Sequence, residues 1–358
     1  MFYREAGDYK KTYAEDNQTF PLKLDRYGYY VILAVAFGIV PLVINDYWAS
    51  AVLIPFLIWS IAALGLNILV GYCGQLSLGT GGFMAVGAYS SYKLMTSFPD
   101  LNIFFIVLIS GVITAAVGVV FGLPSLRIKG FYLAVATLAA QFFLVWLFNK
   151  VEWFYNYSAS GQISAPTRTV AGFEVTGATA SPEAKYLFCL VLAVLLAWFA
   201  RNLTRGRIGR SWMAIRDMDI AAEIIGVNPL KTKLMAFAVS SFLIGVSGSL
   251  FFAVYLGAVE VGEAFGIQKS FLVLFMIIIG GLGSILGSFI GAAFLVLMPV
   301  LLKNIMVGQL GFPIDIAAHF ELLIIGFLIM LTLVLEPHGI AQLWRVTKQK
   351  LRLWPFPH

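Results

Sequence analysis

The sequence predicts an all-α polytopic membrane protein of about eight to ten transmembrane helices, and three observations carry that prediction. The chain is 60% hydrophobic and 12% charged over 358 residues, with a mean hydropathy of +0.89. Its apolar residues fall in runs of span length separated by polar breaks. Its 24 basic residues gather in alternate breaks, the positive-inside pattern of a multi-pass protein. That clustering accounts for a pI near 9.2 without nucleic acid as a partner. Cys73 and Cys189 sit in or beside apolar runs and give neither a disulfide framework nor a CxxC metal or redox site.

The elements follow in order. Residues 1–26 are polar, with five basic and five acidic side chains, and lack the apolar core and cleavage site of a signal peptide. They read as a cytoplasmic N-terminal segment. Ten apolar segments come next, at about 27–44, 48–70, 76–97, 101–122, 130–149, 184–203, 233–257, 268–281, 284–302 and 319–336. The eighth is short for a bilayer and the ninth follows at once, so 268–302 is either two spans or one broken, re-entrant helix. With the N-terminus inside, the inner segments hold 18 basic residues. These are five in the N-terminal segment, Arg127 and Lys129, seven in 201–233, and Arg345, Lys348, Lys350 and Arg352. The outer side keeps six: Lys93, Lys150, Arg168, Lys185, Lys269 and Lys303. Both termini are therefore expected in the cytoplasm. The outer loop 150–183 carries Trp153, Tyr155 and Tyr157 among Ser, Thr and Gly. It is either an ordered linker or a lid or docking surface for an external partner. The tail 337–358 reads as a basic interfacial segment.

The basic island 201–233 holds two short helices. The first is expected to start at Ser211 and cover WMAIR. The second takes Asp219 as its N-cap, runs over 220–225 and stops at Gly226, with Asn228 and Pro229 beyond. Ala221 and Ala222 form a small flat face. Ile220, Ile224 and Ile225 form an apolar stripe suited to the membrane domain or to a partner's pocket. An element this short needs contacts to hold it.

The island, GRSWMAIRDMDIAAEIIGVN, and the span after it resemble permease subunits of ATP-binding-cassette (ABC) importers, the branched-chain amino acid permease (LivM) family above all. The segments 65–89, 123–139 and 278–294 resemble the same family, and the resemblance covers about 80% of the chain. The family's cytoplasmic coupling helix has an Ala-Ala-x-x-x-Gly core, matched here by Ala221, Ala222 and Gly226. A Glu often precedes the alanines in other importers; here Ile220 stands there and Glu223 follows. The resemblance implies that 27–336 is a transmembrane permease domain, with 201–233 its cytoplasmic coupling loop and 150–183 a periplasmic loop. Arg216, Asp219, Ala221, Ala222, Glu223 and Gly226 would couple to the ATPase. Arg207, Arg210 and Arg216 would pair with its carboxylates or with anionic headgroups. The implied partners are a second related permease as heterodimer partner, two cytoplasmic ABC ATPase subunits and a periplasmic substrate-binding protein, in a bacterial inner membrane. Branched-chain or related amino acids are the implied cargo, with urea or short amides as the alternative.

No Gly-x-x-x-x-Gly-Lys-Ser/Thr motif occurs, so ATP is expected on partner subunits, with no cofactor or metal on this chain and no enzymatic activity of its own. An ion-coupled secondary transporter is the second class. It is disfavoured because acids lie at span ends or in loops, Glu321 excepted. Uncharged polar residues within spans are the candidate substrate path: Asn67, Gln75, Ser77, Thr80, Thr137 and Gln141. Each has helix–helix hydrogen bonding as its alternative role. The stretch 73–79, CGQLSLG, reads as an interrupted helix of the kind that lines transport cavities. Gly79 and the evenly spaced Gly283, Gly287 and Gly291 read as helix packing or gating positions.

Overall fold

The structure, a computed structural model, describes residues 11–12, 23–125, 132–170, 172–177, 179–335 and 339–353. Most of the N-terminal segment, Arg127, Lys129 and the end of the tail lie outside the described residues. Helix α1 starts at Lys23 rather than at residue 27 and runs through Val43. Then come α2 (Asp46–Tyr72), α3 (Thr80–Ser97), α4 (Ile103–Ser125), α5 (Tyr132–Lys150) and α6 (Pro182–Arg205). Two short helices, α7 (Arg207–Asp217) and α8 (Asp219–Ile224), lead into α9 (Pro229–Leu256). The chain closes with α10 (Ile267–Gly280), α11 (Ile285–Gln309), α12 (Ile314–Leu335) and α13 (Ile340–Leu353). Eight helical stretches among the described residues are long and apolar enough to cross a membrane; α3 is not among them, and α12 contributes the shorter apolar stretch Leu322–Val334. The protein is thus an all-α polytopic membrane protein.

Two helices form the axis. In α2 and α9 the most apolar window is 89% and 83% buried inside the chain, against 0% in α1. A helix apolar on every side belongs in the middle of a bundle, and α2 (IPFLIWSIAALGLN over its inner half) is one. Contact between helices in a lipid setting depends on small residues that let backbones meet. A Cβ added to Gly87 would sit 2.1 Å from Gly245 O, and one on Gly248 would sit 2.0 Å from Met84 O. Hence α3 and α9 touch backbone to backbone. Ser247 Oγ then donates to Ile58 O at 2.8 Å, tying α9 to α2.

Residues 268–302 are an antiparallel helical hairpin, α10 and α11, joined by the turn at 281–284. Glycines of both helices close it: a Cβ on Gly291 would meet Met276 O at 1.8 Å, and one on Gly280 would meet Gly287 O at 1.9 Å. Gly283 does not share their groove. It lies in the turn at φ +72, so the four-residue spacing of 283, 287 and 291 is not one helical stripe. Its place in the packing is taken by Gly280.

The ends of the bundle are well defined. Arg201 at the end of α6 lies 5.4 Å over the ring of Tyr29, near the start of α1. Tyr186, at the beginning of α6, donates to Ala36 O at 3.1 Å. The start of α1 and the α7–α8 loop therefore share one end. The loop after α5 caps the opposite end. Its strand β1 (Ile163–Ser164) pairs antiparallel with β4 (Ala258–Val259), and β2 (Thr169–Val170) pairs with β3 (Phe173–Glu174). Arg168 Nη2 donates to Met95 O at 2.5 Å. Lys93 donates to Asn156 Oδ1 and sits 4.0 Å over the ring of Trp153. This is an ordered linker bound to the ends of α3 and α9.

Candidate functional site

Helix α7 begins at Arg207 instead of Ser211. The Ser211 hydroxyl donates back to Arg207 O at 3.1 Å, inside the helix. Trp212 is fully buried, and its indole N–H reaches Thr232 O in α9 at 3.2 Å. The chain then extends through Met218 (φ −159), which stands at the N-cap of α8. Asp219 is the first helical residue, not the cap. Its carboxylate bonds Lys233, one turn into α9, at 2.5 Å, while a negative charge in the first turn also suits the helix dipole. The far end matches the expected stop. Val227 N donates to Ala222 O and Gly226 N to Glu223 O, both at 3.0 Å, with Gly226 at φ +91. This paired arrangement satisfies the last carbonyls and needs a left-handed residue, which glycine supplies. Asn228 Oδ1 then accepts from Lys231 N at 3.1 Å and caps α9, with Pro229 in its first turn.

Helix α8 is therefore pinned at both ends, with Ala222 buried beneath it. Its other face is open. Ile220, Ile224 and Ile225 are 70%, 81% and 74% exposed, and Met218 extends the same patch. The stripe does not rest on the membrane domain. Ala221, Glu223 and Gly226 are exposed beside it. Met218 was not among the residues singled out from sequence, and its neighbourhood to a capped apolar helix is the signal that marks it.

Arg216 points the other way. Its Nη1 donates to Gly71 O at the end of α2 at 3.0 Å, while Nε and Nη2 each lie 2.9 Å from Asp217 Oδ1. Its guanidinium engages this chain's own groups.

Beyond Gly71 the chain leaves the helix. A π-turn over Ile68–Tyr72 ends α2, and residues 74–79 are non-helical until α3 begins, with Gly74 at φ +72. Non-helical backbone inside a membrane protein needs side-chain partners, and here they come from far along the chain. Leu78 N donates to Thr137 Oγ1 at 2.9 Å, Gly81 N to Ser270 Oγ at 2.8 Å, and Gly82 N to Gln141 Oε1. Gln141 Nε2 donates to Phe265 O at 2.8 Å. Asn67 serves the other turn: Nδ2 donates to Ser284 O and Ser288 Oγ at 2.8 and 2.9 Å, and Oδ1 accepts from Gly283 N at 2.8 Å.

These contacts divide the six polar candidates. Asn67, Thr137 and Gln141 are engaged in holding helices and turns together, the alternative role for each. Ser77 Oγ accepts from Gly79 N at 3.4 Å. Gln75 Oε1 and Thr80 Oγ1 are buried and have no hydrogen-bond partner among the described residues; Gln75 lies in the interrupted stretch and Thr80 opens α3. A Cβ on Gly79 would meet Thr137 O at 2.9 Å, so its small size lets α5 approach. Ser270, Ser284 and Ser288 complete the network and were passed over in the sequence, although small polar residues in apolar helices carry the signal that marked Thr137. A cavity of about 670 Å³ at the opposite end, between the starts of α4 and α6, is lined by Phe104, Phe105, Phe173, Leu187 and Phe188 and by none of the six.

Comparison with known proteins bears on this arrangement. Residues 48–333 match the family model described as branched-chain amino acid transport system / permease component. The chain is 31% identical over 309 residues to the high-affinity branched-chain amino acid transport system permease protein LivM of Salmonella typhimurium, covering 81% of this chain and 69% of that protein. The Escherichia coli protein of the same name is also 31% identical, over 307 residues and the same shares. An autoinducer 2 import system permease protein, LsrC of Klebsiella pneumoniae, is 34% identical over 112 residues, 30% of this chain and 31% of that one. No solved structure matches the chain significantly.

Proposed function

Because the chain belongs to the family of branched-chain amino acid transport system permease components, we propose that it is the transmembrane subunit of an ABC importer for branched-chain or related amino acids. It would sit in a bacterial inner membrane with both termini and the α7–α8 loop in the cytoplasm. The observation that carries this reading is α8: closed at its C-terminal end by Gly226, pinned through Asp219 and Ala222, and apolar on the face it turns outward. A rigid element with an uncovered apolar face is a handle, and a separate ATPase subunit is the hand. Ala221, Ala222, Glu223 and Gly226 shape it, and Ile220, Ile224 and Ile225 enter the partner's pocket. Two such ATPases, a second related permease and a periplasmic binding protein complete the assembly, and ATP binds the ATPases alone.

The path for solute follows the non-helical stretch 74–79. The unpartnered Gln75 Oε1 and Thr80 Oγ1, with Ser77 between them, offer a few hydrogen bonds in an apolar lining. A zwitterionic amino acid crosses such a lining only if no site holds it tightly. The test is reconstitution of the complete transporter in proteoliposomes with radiolabelled leucine, isoleucine or valine. ATP-dependent uptake of one of them, not displaced by urea or acetamide, is expected. Uptake that follows a proton gradient and needs no ATPase overturns the reading.

A further inference from the structure

We propose that Arg216 is a positioning residue for transport, tying the α7–α8 pair to both glycine turns of the membrane domain so that all three move together. The proposal rests on the transport reading above. Arg216 stands in the last turn of α7, separated from α8 only by Asp217 and Met218. Its side chain crosses Gly74, where an added Cβ would come within 2.9 Å of Arg216 Cγ. Its Nη1 donates to Gly71 O at 3.0 Å, and a Cβ on Gly283 would lie 3.4 Å from the same nitrogen. The guanidinium thus lies, partly exposed, beside both the exit of α2 and the turn joining α10 to α11. Asp217 Oδ1 takes Nε and Nη2 together and sets the plane of the fork.

The two turns are already locked to each other. Asn67 lies one helical turn before Gly71 and holds Gly283, Ser284 and Ser288. Gly74, Gly281 and Gly283 all have positive φ, so each break is a place where the backbone can swing at low cost. A cation also suits the carbonyl-rich C-terminal ends of α2 and α7 that meet here. A lysine cannot replace the fork, since its single ammonium cannot present two edges in one plane. Displacing α8 therefore pulls, through Arg216, on the non-helical lead into α3 and on the α10–α11 turn.

Two measurements test this on Arg216→Ala and Arg216→Lys. The first is hydrogen exchange on the full-length chain in detergent. In Arg216→Ala, exchange at 71–79 and 281–288 should rise about tenfold while 80–97 is unchanged. Arg216→Lys should recover less than about half of that protection. A change confined to 207–224, or full recovery by lysine, overturns the proposal. The second uses the complete transporter and reads solute moved against ATP hydrolysed. The ratio should fall about fivefold or more in Arg216→Ala, with hydrolysis within about twofold of the parent; an unchanged ratio overturns the proposal. If the parent transporter shows no ATP-dependent uptake, the functional reading fails by itself, and the exchange experiment still decides whether Arg216 ties the two turns to the α7–α8 pair.

Discussion

Helices α8 and α13 lie at the same end of the molecule, and both leave apolar side chains uncovered, yet they suit different neighbours. Gly339, just before α13, packs so close to the turn below α10 that an added Cβ would sit 2.5 Å from Gly281 Cα. The segment 218–228 around α8 carries Asp219 and Glu223 and no basic residue. Helix α13 carries Arg345, Lys348, Lys350 and Arg352 and no acid. An anionic leaflet attracts each nearby Lys or Arg by about 1 kcal/mol and repels carboxylates. Leu343 and Trp344, flanked by long basic side chains, fit the headgroup boundary. The isoleucines of α8, flanked by acids, fit a protein pocket instead. Apolar exposure alone does not separate the two; the charge beside it does.

Substitutions in both helices break or sharpen that contrast. The largest effect is expected from Ile224→Asp, which puts a charge at the centre of the open patch. Loss of a buried anchor costs about 2 kcal/mol or more, so ATPase retention on the purified chain should fall roughly thirtyfold, with membrane insertion unchanged. Ala221→Arg should act alike. Equal ATPase recovery in a pull-down would remove α8 as the docking element. Next comes the pair Arg345→Glu and Lys350→Glu. Hydrogen exchange in nanodiscs should show α13 better protected in anionic than in zwitterionic lipid, by about 2 kcal/mol in the parent and not at all in the variant. A matching lipid response in α8 would break the charge argument.

A smaller effect belongs to Gly226→Ala. Open space surrounds the added methyl, so only the φ of +91 opposes it, at about 1 kcal/mol. Exchange protection of α8 in Gly226→Ala equal to the parent's would remove that strain. The smallest is Asp219→Asn. The pair with Lys233 is partly solvated, so its loss should lower stability by about 0.5 kcal/mol. The difference from the parent should vanish as salt is raised.

What could be read from sequence was what depends on near neighbours. Gly226, Asn228 and Pro229 announced the end of α8 and the start of α9 because caps are made within a few residues. The beginning of α8 was misread for the same reason. Asp219 looks like a cap locally, but its carboxylate goes to Lys233, which no local pattern reveals. Ser211 also looks like a start signal, yet inside a helix a serine hydroxyl can bond back to the carbonyl four residues before, as it does here. The glycines at 283, 287 and 291 suggested one stripe, and the turn at Gly283 breaks it. Asn67 and Gln141 were visible as polar residues in apolar runs. Their duty was not, because the groups they hold lie on other helices, from Gly82 to Ser288. Gln75 and Thr80, by contrast, sit in CGQLSLGT, whose glycines made the break itself legible.

That break also governs how the chain's sidedness must be counted. The 18 residues of α3 span about 27 Å, and the non-helical residues 74–79 lead straight into it. The stretch 74–79 and α3 therefore make one crossing that is only partly helical and carries Gly, Ser, Thr and Lys93. A tally limited to apolar helices omits it and finds α6 to be the fifth crossing, which sends the α7–α8 loop to the side opposite the start of α1. Including it makes α6 the sixth and restores the even parity that the contact of Arg201 with Tyr29 requires.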